Sequence, residues 1–200
     1  MVSVAPTPWD EIGRVAQRHR CACLLLGLSD LNDDGVEGHL EDLISSLDCD
    51  VAILRAPHGW KLTDARRILV PIGGHGSHDE LRARLLGSLL RTHDREVEFL
   101  RVLPQTTSPR SEARARRRLA RMARDKAPGI GTARIVRSDE GVNEVVTRTA
   151  STDLLVLGLQ HVHRRRKIFG EFALQVARQS HCPVVLLSQE GEYAGVIRRI

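Results

Sequence analysis

The 200-residue chain is 42% hydrophobic but only 3% aromatic, so it has enough apolar residues for a globular core, and that core must be mostly aliphatic. Its apolar runs are too short to cross a bilayer, and residues 1–6 lack the basic start and apolar stretch of a secretory signal. The four cysteines include no Cys-x-x-Cys pair, which favours a reduced, cytoplasmic setting.

Charge divides the chain into two parts. Residues 1–60 hold four Arg and ten acidic residues, a net charge of −6, and residues 61–200 hold 26 basic and 15 acidic residues, a net charge of +11. These values add to the +5 of the whole chain. The asymmetry predicts attraction either between the two parts or between the basic part and an anionic partner.

The first elements form a short α/β unit. A helix-like stretch, Trp9–Arg18, precedes a predicted strand at Cys23-Leu-Leu-Leu-Gly27. An amphipathic segment then leads to a second apolar strand, Cys49-Asp-Val-Ala-Ile-Leu54. Residues 59–65 follow, with Gly59 and Thr63, and this composition is typical of a linker.

The next residues alternate between apolar strands and amphipathic helices. Strands are predicted at Arg67–Ile72, Val97–Leu103 and Ala133–Arg137, and helices at Asp79–Leu90 and Ser111–Ala127. Because the strands are nearly continuous apolar runs separated by helices, they predict a parallel sheet that is covered on both faces.

The last elements repeat the first. A helix-like stretch, Val142–Ala150, precedes Leu154-Leu-Val-Leu-Gly158, which is similar to the strand at residues 23–27. The strand Cys182-Pro-Val-Val-Leu-Leu187 likewise corresponds to residues 49–54. The sequence therefore predicts a half-domain (residues 1–58), a linker (59–65), a full domain of five strands (66–190) and a tail (191–200).

These motifs resemble the universal stress protein family, at Arg67-Ile-Leu-Val-Pro-Ile72, at residues 154–158 and at His181-Cys-Pro-Val-Val-Leu-Leu187. The resemblance implies a Rossmann-like parallel sheet of strand order 3-2-1-4-5 with helices on both faces, plus a half-domain of the same type. The run from Ile68 to His75, preceded by the half-domain, looks most like the family copies found in the cytoplasmic C-terminal region of bacterial amino-acid permeases and related transporters. The resemblance implies a non-catalytic sensor that is associated with the rest of a transporter chain or with a second copy of this chain.

The resemblance also implies a degenerate nucleotide site. The positions that match the family's site are Ile72, Gly73, Gly74, Gly158, His161, Gly170 and Glu171. Gly73 stands where nucleotide-binding members have Asp, His161 replaces a glycine, and Glu171 replaces a hydroxyl residue. A carboxylate at a helix N-terminus competes with phosphate for the same N–H groups. We therefore expect no cofactor, or weak ATP or AMP binding, and no metal.

Two other functions compete with this hypothesis. A free-standing tandem stress protein would bind ATP or another adenine nucleotide. A nucleotidylyltransferase would carry His-x-Gly-His after its first strand, but the order here is His75-Gly-Ser-His78. No paired carboxylates and no nucleophile–base pair stand out, so we expect no enzyme.

The segment Arg110–Lys126 is a strongly basic helix, with seven Arg and one Lys against Glu112 and Asp125. Contact with an anionic membrane surface is one interpretation, and a solvated outer helix is the other. With a single Tyr in the chain, the sequence lacks an aromatic surface for stacking nucleic-acid bases.

The equivalent strands also predict how the two parts join. Exposed edges of apolar strands need cover, so Val51–Leu54 is expected to pair antiparallel with Val184–Leu187 as a pseudo-dimer. The sheet edge beside Leu24–Leu26 is expected to stay open, because the N-terminal half of that domain has no counterpart in residues 1–58.

Overall fold

The computed structural model describes residues 7–31, 35–73, 79–159 and 170–189. Its helices are α1 (Pro8–Arg18), α2 (Val36–Ser46), α3 (Asp79–Thr92), α4 (Pro109–Lys126), α5 (Gly141–Thr149) and α6 (Glu171–Gln179), with a 3-10 helix at Leu62–Asp64. Its strands are β1 (Cys23–Leu28), β2 (Asp50–Arg55), β3 (Arg67–Pro71), β4 (Glu96–Leu103), β5 (Gly131–Arg137), β6 (Leu154–Gly158) and β7 (Val184–Ser188). Among the helices described, none is long and apolar enough to cross a membrane.

The strands form one sheet in the order β1-β2-β7-β6-β3-β4-β5. From β7 to β5 all neighbours are parallel. Within residues 66–190 this is the order 3-2-1-4-5, so the predicted fold class is confirmed. The winding direction reverses between β3 and β6, which places the carboxyl ends of these strands at the usual ligand site of such sheets.

Alternating side chains of the strands build a core on each face of the sheet. In β4, Leu100 points to the face that carries α1, α2, α5 and α6. Its neighbour Phe99 points to the face that carries α3 and α4. Both residues are fully buried. Among the described residues, four helices therefore cover one face along its whole width, while two cover the other.

The predicted half-domain (residues 1–58) joins the predicted full domain (residues 66–190) through strands β2 and β7 of the same sheet. They are antiparallel, with Val51 opposite Ser188, Ile53 opposite Leu186, and Arg55 opposite Val184. In the sequence repeat, Val51 corresponds to Val184, Ile53 to Leu186 and Arg55 to Ser188. Exchanging the two strands therefore reproduces the same pairing, so a pseudo-two-fold axis passes between Ile53 and Leu186. The predicted antiparallel pairing is confirmed.

Three polar contacts reinforce this junction. Glu37 of α2 accepts a hydrogen bond from Arg178 of α6 at 2.9 Å. The buried Asp50 pairs with Arg84 of α3. Arg55 donates through Nη2 to the Ser180 hydroxyl at 2.7 Å. Two of the contacts join an acid of the half-domain to a base of the full domain, so the charge asymmetry acts within the chain.

The predicted linker is anchored to the full domain. Arg95, which is buried, donates to the carbonyl oxygen of Ala65 at 2.8 Å and to that of Leu62 at 2.9 Å. Residues 62–65 therefore have a fixed path before β3 begins.

The cysteines are free thiols. Cys49 and Cys182 are both buried at equivalent places of the repeat, as expected for packing residues. Burial raises the pKa of the Cys182 thiol to about 11, although nearby Arg55 acts in the opposite direction. Cys182 is therefore protonated at neutral pH and is not poised as a nucleophile.

Candidate functional site

The candidate site is the cleft at the carboxyl ends of β3 and β6. The structure describes five of the residues predicted for it, which are Ile72, Gly73, Gly158, Gly170 and Glu171. The predicted residues Gly74 and His161 lie outside the described residues. The described part shows how each side of the cleft is built.

On the β3 side, backbone groups continue the sheet beyond the strand. The N–H of Ile72 donates to the carbonyl oxygen of Leu100 at 2.7 Å. The carbonyl oxygen of the exposed Gly73 accepts from Arg101 Nη1 at 2.8 Å. The guanidinium of Arg101 therefore lies directly beside Gly73, the position at which the family resemblance implies an Asp in nucleotide-binding members.

Arg101 is the principal site residue that the sequence analysis missed. Burial, and then the nearby Arg118, lowers the pKa of Arg101. Its Nε is buried and has no hydrogen-bond partner within the described ranges. The only signal in the sequence was a charged residue near the end of an apolar strand. The β3 side of the cleft thus carries positive charge, whereas nucleotide-binding members are expected to carry an Asp on this side.

On the β6 side, the helix that would face a phosphate begins with an acid. Gly170 is the N-cap of α6, and no side chain caps the helix there. Its carbonyl oxygen accepts from the N–H groups of Ala173 and Leu174 at 2.9 and 3.2 Å. Glu171 is exposed in the first turn and accepts a hydrogen bond from Gln175 at 3.2 Å.

This arrangement is unfavourable for phosphate. Helix N-termini attract anions through free N–H groups and the helix dipole. The Glu171 carboxylate supplies negative charge at this end of α6 and therefore repels a second anion. Gly158, at the end of β6, is half-buried opposite Leu187 of β7.

A small apolar wall lies next to the start of α6. A Cβ added at Gly141 would lie 3.5 Å from the ring of Phe172 and 4.0 Å from Val102. Phe172 is 41% exposed although it is a large apolar side chain. An apolar or aromatic group of a ligand would find a surface there. Within the part of the chain that the structure describes, no three His, Cys, Asp or Glu side chains could hold a metal ion.

The outward face of α4 is a second basic surface, and its Arg118 lies near Arg101 of the cleft. Leu119 and Ala123 are buried against the sheet, and Arg116 pairs with Glu112 at 2.8 Å. Six exposed arginines make no ion pair with any described residue, and they are Arg110, Arg114, Arg117, Arg118, Arg121 and Arg124. Within the described chain, the helix therefore presents to its surroundings a row of guanidinium groups that are not ion-paired.

Comparison with known proteins links the chain to one family. The model of the Universal stress protein family matches residues 65–188. No curated protein matches the chain. Among solved structures, the universal stress protein from Archaeoglobus fulgidus in complex with dAMP is 18% identical with a TM-score of 0.51, over 62% of this chain and 98% of that chain.

Two longer structures match nearly the whole chain. A universal stress protein from Archaeoglobus fulgidus DSM 4304 is 16% identical with a TM-score of 0.61, over 96% of this chain and 69% of that chain. A putative universal stress protein from Pseudomonas aeruginosa UCBPP-PA14 is 17% identical with a TM-score of 0.62, over 94% of this chain and 70% of that chain. At these identities the structural similarity shows the fold.

Proposed function

The chain belongs to the universal stress protein family, and we propose that it is a non-catalytic sensor or regulatory module whose nucleotide site has degenerated. The observation that carries this proposal is the acid in the first turn of α6, where a phosphate would need free N–H groups. On the β3 side, Gly73 stands where the family resemblance implies an Asp, and it offers no carboxylate to a ligand. The Archaeoglobus fulgidus complex with dAMP makes adenine nucleotides the ligand class to test.

Calorimetry of the full chain with AMP, ADP and ATP tests the proposal. We expect dissociation constants in the millimolar range or above, and a micromolar constant for ATP would contradict the degenerate site. Glu171→Ser removes the carboxylate and should tighten ATP binding by about two- to fivefold, the effect of one charge at a helix N-terminus. Glu144→Ser makes the same change in the first turn of α5 and should leave ATP binding unchanged.

A second function concerns α4, which we propose as a contact surface for anionic lipid headgroups. Its six free arginines support this, because guanidinium groups bind phosphate in a bidentate manner. A domain attached to a membrane transporter would hold such a helix near the lipid, and this is the setting we propose for the chain. Each basic residue near an anionic membrane contributes about 1 kcal/mol.

Vesicle sedimentation tests the lipid surface. The full chain should sediment with phosphatidylserine-containing vesicles at low salt, stay in solution with pure phosphatidylcholine, and be released by salt. Reversing Arg117, Arg118 and Arg121 to Glu should abolish binding. The matched control reverses three other exposed arginines, Arg14, Arg18 and Arg20, and should retain binding. Equal loss in both variants, or no binding to anionic vesicles at low salt, would refute the proposal.

A further inference from the structure

The two outer edges of the sheet differ in how they are protected. Edge strand β5 carries Arg134 and Arg137, charges that discourage pairing with another strand. Edge strand β1 has the sequence Cys-Leu-Leu-Leu-Gly-Leu, with no charge and no proline. Long apolar edges of this kind are normally covered. The contrast between charged β5 and apolar β1 indicates that β1 is the edge that requires a partner strand.

Backbone hydrogen bonds show which groups of β1 face outward. The carbonyl oxygen of Ala22 accepts from the N–H of Asp50 in β2, and that of Leu28 accepts from the N–H of Ala56, the residue directly after β2. Because alternate residues of a parallel strand bond to the same neighbour, the N–H and C=O groups of Cys23, Leu25 and Gly27 point to the open edge. These groups are available to a further strand.

The internal repeat shows what such a partner must supply on one face. Leu25 of β1 corresponds to Val156 of β6, since both lie two residues before the strand's glycine. Val156 is 0% exposed and lies in the cluster that includes Leu86 of α3, whereas Leu25 is 69% exposed. Strand β6 is also paired with β3 on the side that corresponds to the free edge of β1. The equivalent partner is therefore a strand followed by a helix.

On the opposite face of the sheet, a second apolar side chain lacks cover. In α1, Ile12, Val15 and Arg18 have the same spacing as Val142, Val145 and Arg148 of α5. Val145 is 0% exposed, in a cluster with Leu100 of β4, and α5 packs against β4. Val15 is 36% exposed. A second strand, placed like β4, would cover it.

We propose that β1 is a docking edge for a strand–helix–strand unit of the β3–α3–β4 type, supplied by polypeptide other than the described residues. Its first strand pairs in parallel with β1, its helix covers Leu25, and its second strand lies beneath Val15. A lone strand, such as β1 of a second copy, would leave Leu25 without a helix. Continuity with the β2–β7 junction makes the result one sheet. The longer family structures leave room for such a unit, because this chain covers 69% and 70% of their lengths.

Hydrogen exchange of a fusion protein tests this docking. A copy of residues 66–138, the chain's own unit of this type extended through α4 and β5, is joined ahead of the full chain by a flexible Gly-Ser linker, which gives a millimolar effective concentration. The amides of Leu25 and Gly27 should exchange at least about tenfold more slowly in the fusion than in the chain alone.

Two variants and one dilution series decide the outcome. Leu25→Arg should remove the protection, and the residue is exposed enough for the chain to fold normally. Ala133→Arg, placed on β5 of the full chain, should leave it intact. Protection in the unfused chain that rises with concentration would overturn the proposal in favour of pairing between two copies. Unchanged exchange in the fusion, or protection that survives Leu25→Arg, would also overturn it.

Discussion

Arg55, at the end of β2, provides a quantitative test of how the half-domain is held. Its Nη2 donates to the Ser180 hydroxyl and the Cys182 carbonyl oxygen, each at 2.7 Å, and to the Ser180 carbonyl oxygen at 3.4 Å. Burial lowers the pKa of Arg55, with Cys182 and Asp30 acting in the opposite direction. The substitution Arg55→Met keeps most of the aliphatic stem and removes the donors.

We expect Arg55→Met to lower the free energy of unfolding by about 2–3 kcal/mol. One hydrogen bond to a charged group contributes about 1.5–3 kcal/mol. Arg55 is partly exposed, so water screens its hydrogen bonds, and we expect their combined contribution to equal that of about one buried bond. Urea unfolding would show this as a midpoint lowered by roughly 1 M with an unchanged slope. Arg67→Met breaks an exposed pair with Asp153 at 2.9 Å inside the full domain, and should cost clearly less than Arg55→Met because water screens the pair.

A double-mutant cycle with Ser180→Ala isolates the side-chain contact. The coupling energy between Arg55 and Ser180 should be about 1 kcal/mol, because their hydrogen bond is charge-assisted and half-buried. Additive effects within about 0.3–0.5 kcal/mol would refute the contact. A cost for Arg55→Met no larger than that of Arg67→Met would refute its role in the junction.

Other residues give further tests in unfolding experiments. Burial raises the pKa of Asp153, but hydrogen bonds from the Arg67 side chain and from the N–H groups of Arg67 and Arg66 outweigh burial and lower the pKa. The stabilisation from these bonds is present above the unfolded pKa of about 4 and is lost as pH falls through the folded pKa. Asp153→Asn should therefore reduce the free energy of unfolding at pH 7 and make it fall less steeply below pH ~4, and an unchanged fall would contradict this. Gly131→Ala should cost at least about 1 kcal/mol, because its Cβ would lie 2.6 Å from the Ala123 carbonyl oxygen, whereas Gly27→Ala has open space; equal midpoints would contradict the close approach.

The fold was largely predictable because its signals are local. Apolar runs bounded by helices specify buried parallel strands, and the repeated Cys-x-Val motifs of β2 and β7 identified equivalent strands with exposed edges. Pairing them followed from the rule that apolar edges require cover. The register then follows from the repeat, since Ile53 and Leu186 occupy the same position in each copy.

The side-chain contacts of the cleft and the junction were not predictable. Arg101 reaches Gly73, and Arg55 reaches Ser180 more than a hundred residues away. The direction in which a long, rotatable arginine turns depends on which carbonyl oxygens the tertiary fold places near it. The sequence showed many arginines, with no pattern that distinguishes the buried few from the solvated majority.

The most direct test of the degenerate site is an NMR titration of the full chain with ATP. A degenerate site predicts amide shifts at Gly158, Gly170 and Glu171 that are still unsaturated at about 1 mM ATP, consistent with millimolar affinity. Glu171→Ser should move the midpoint of the titration to a lower ATP concentration. Saturation of these shifts below about 100 μM in the unmodified chain would show an intact nucleotide site and contradict the proposal.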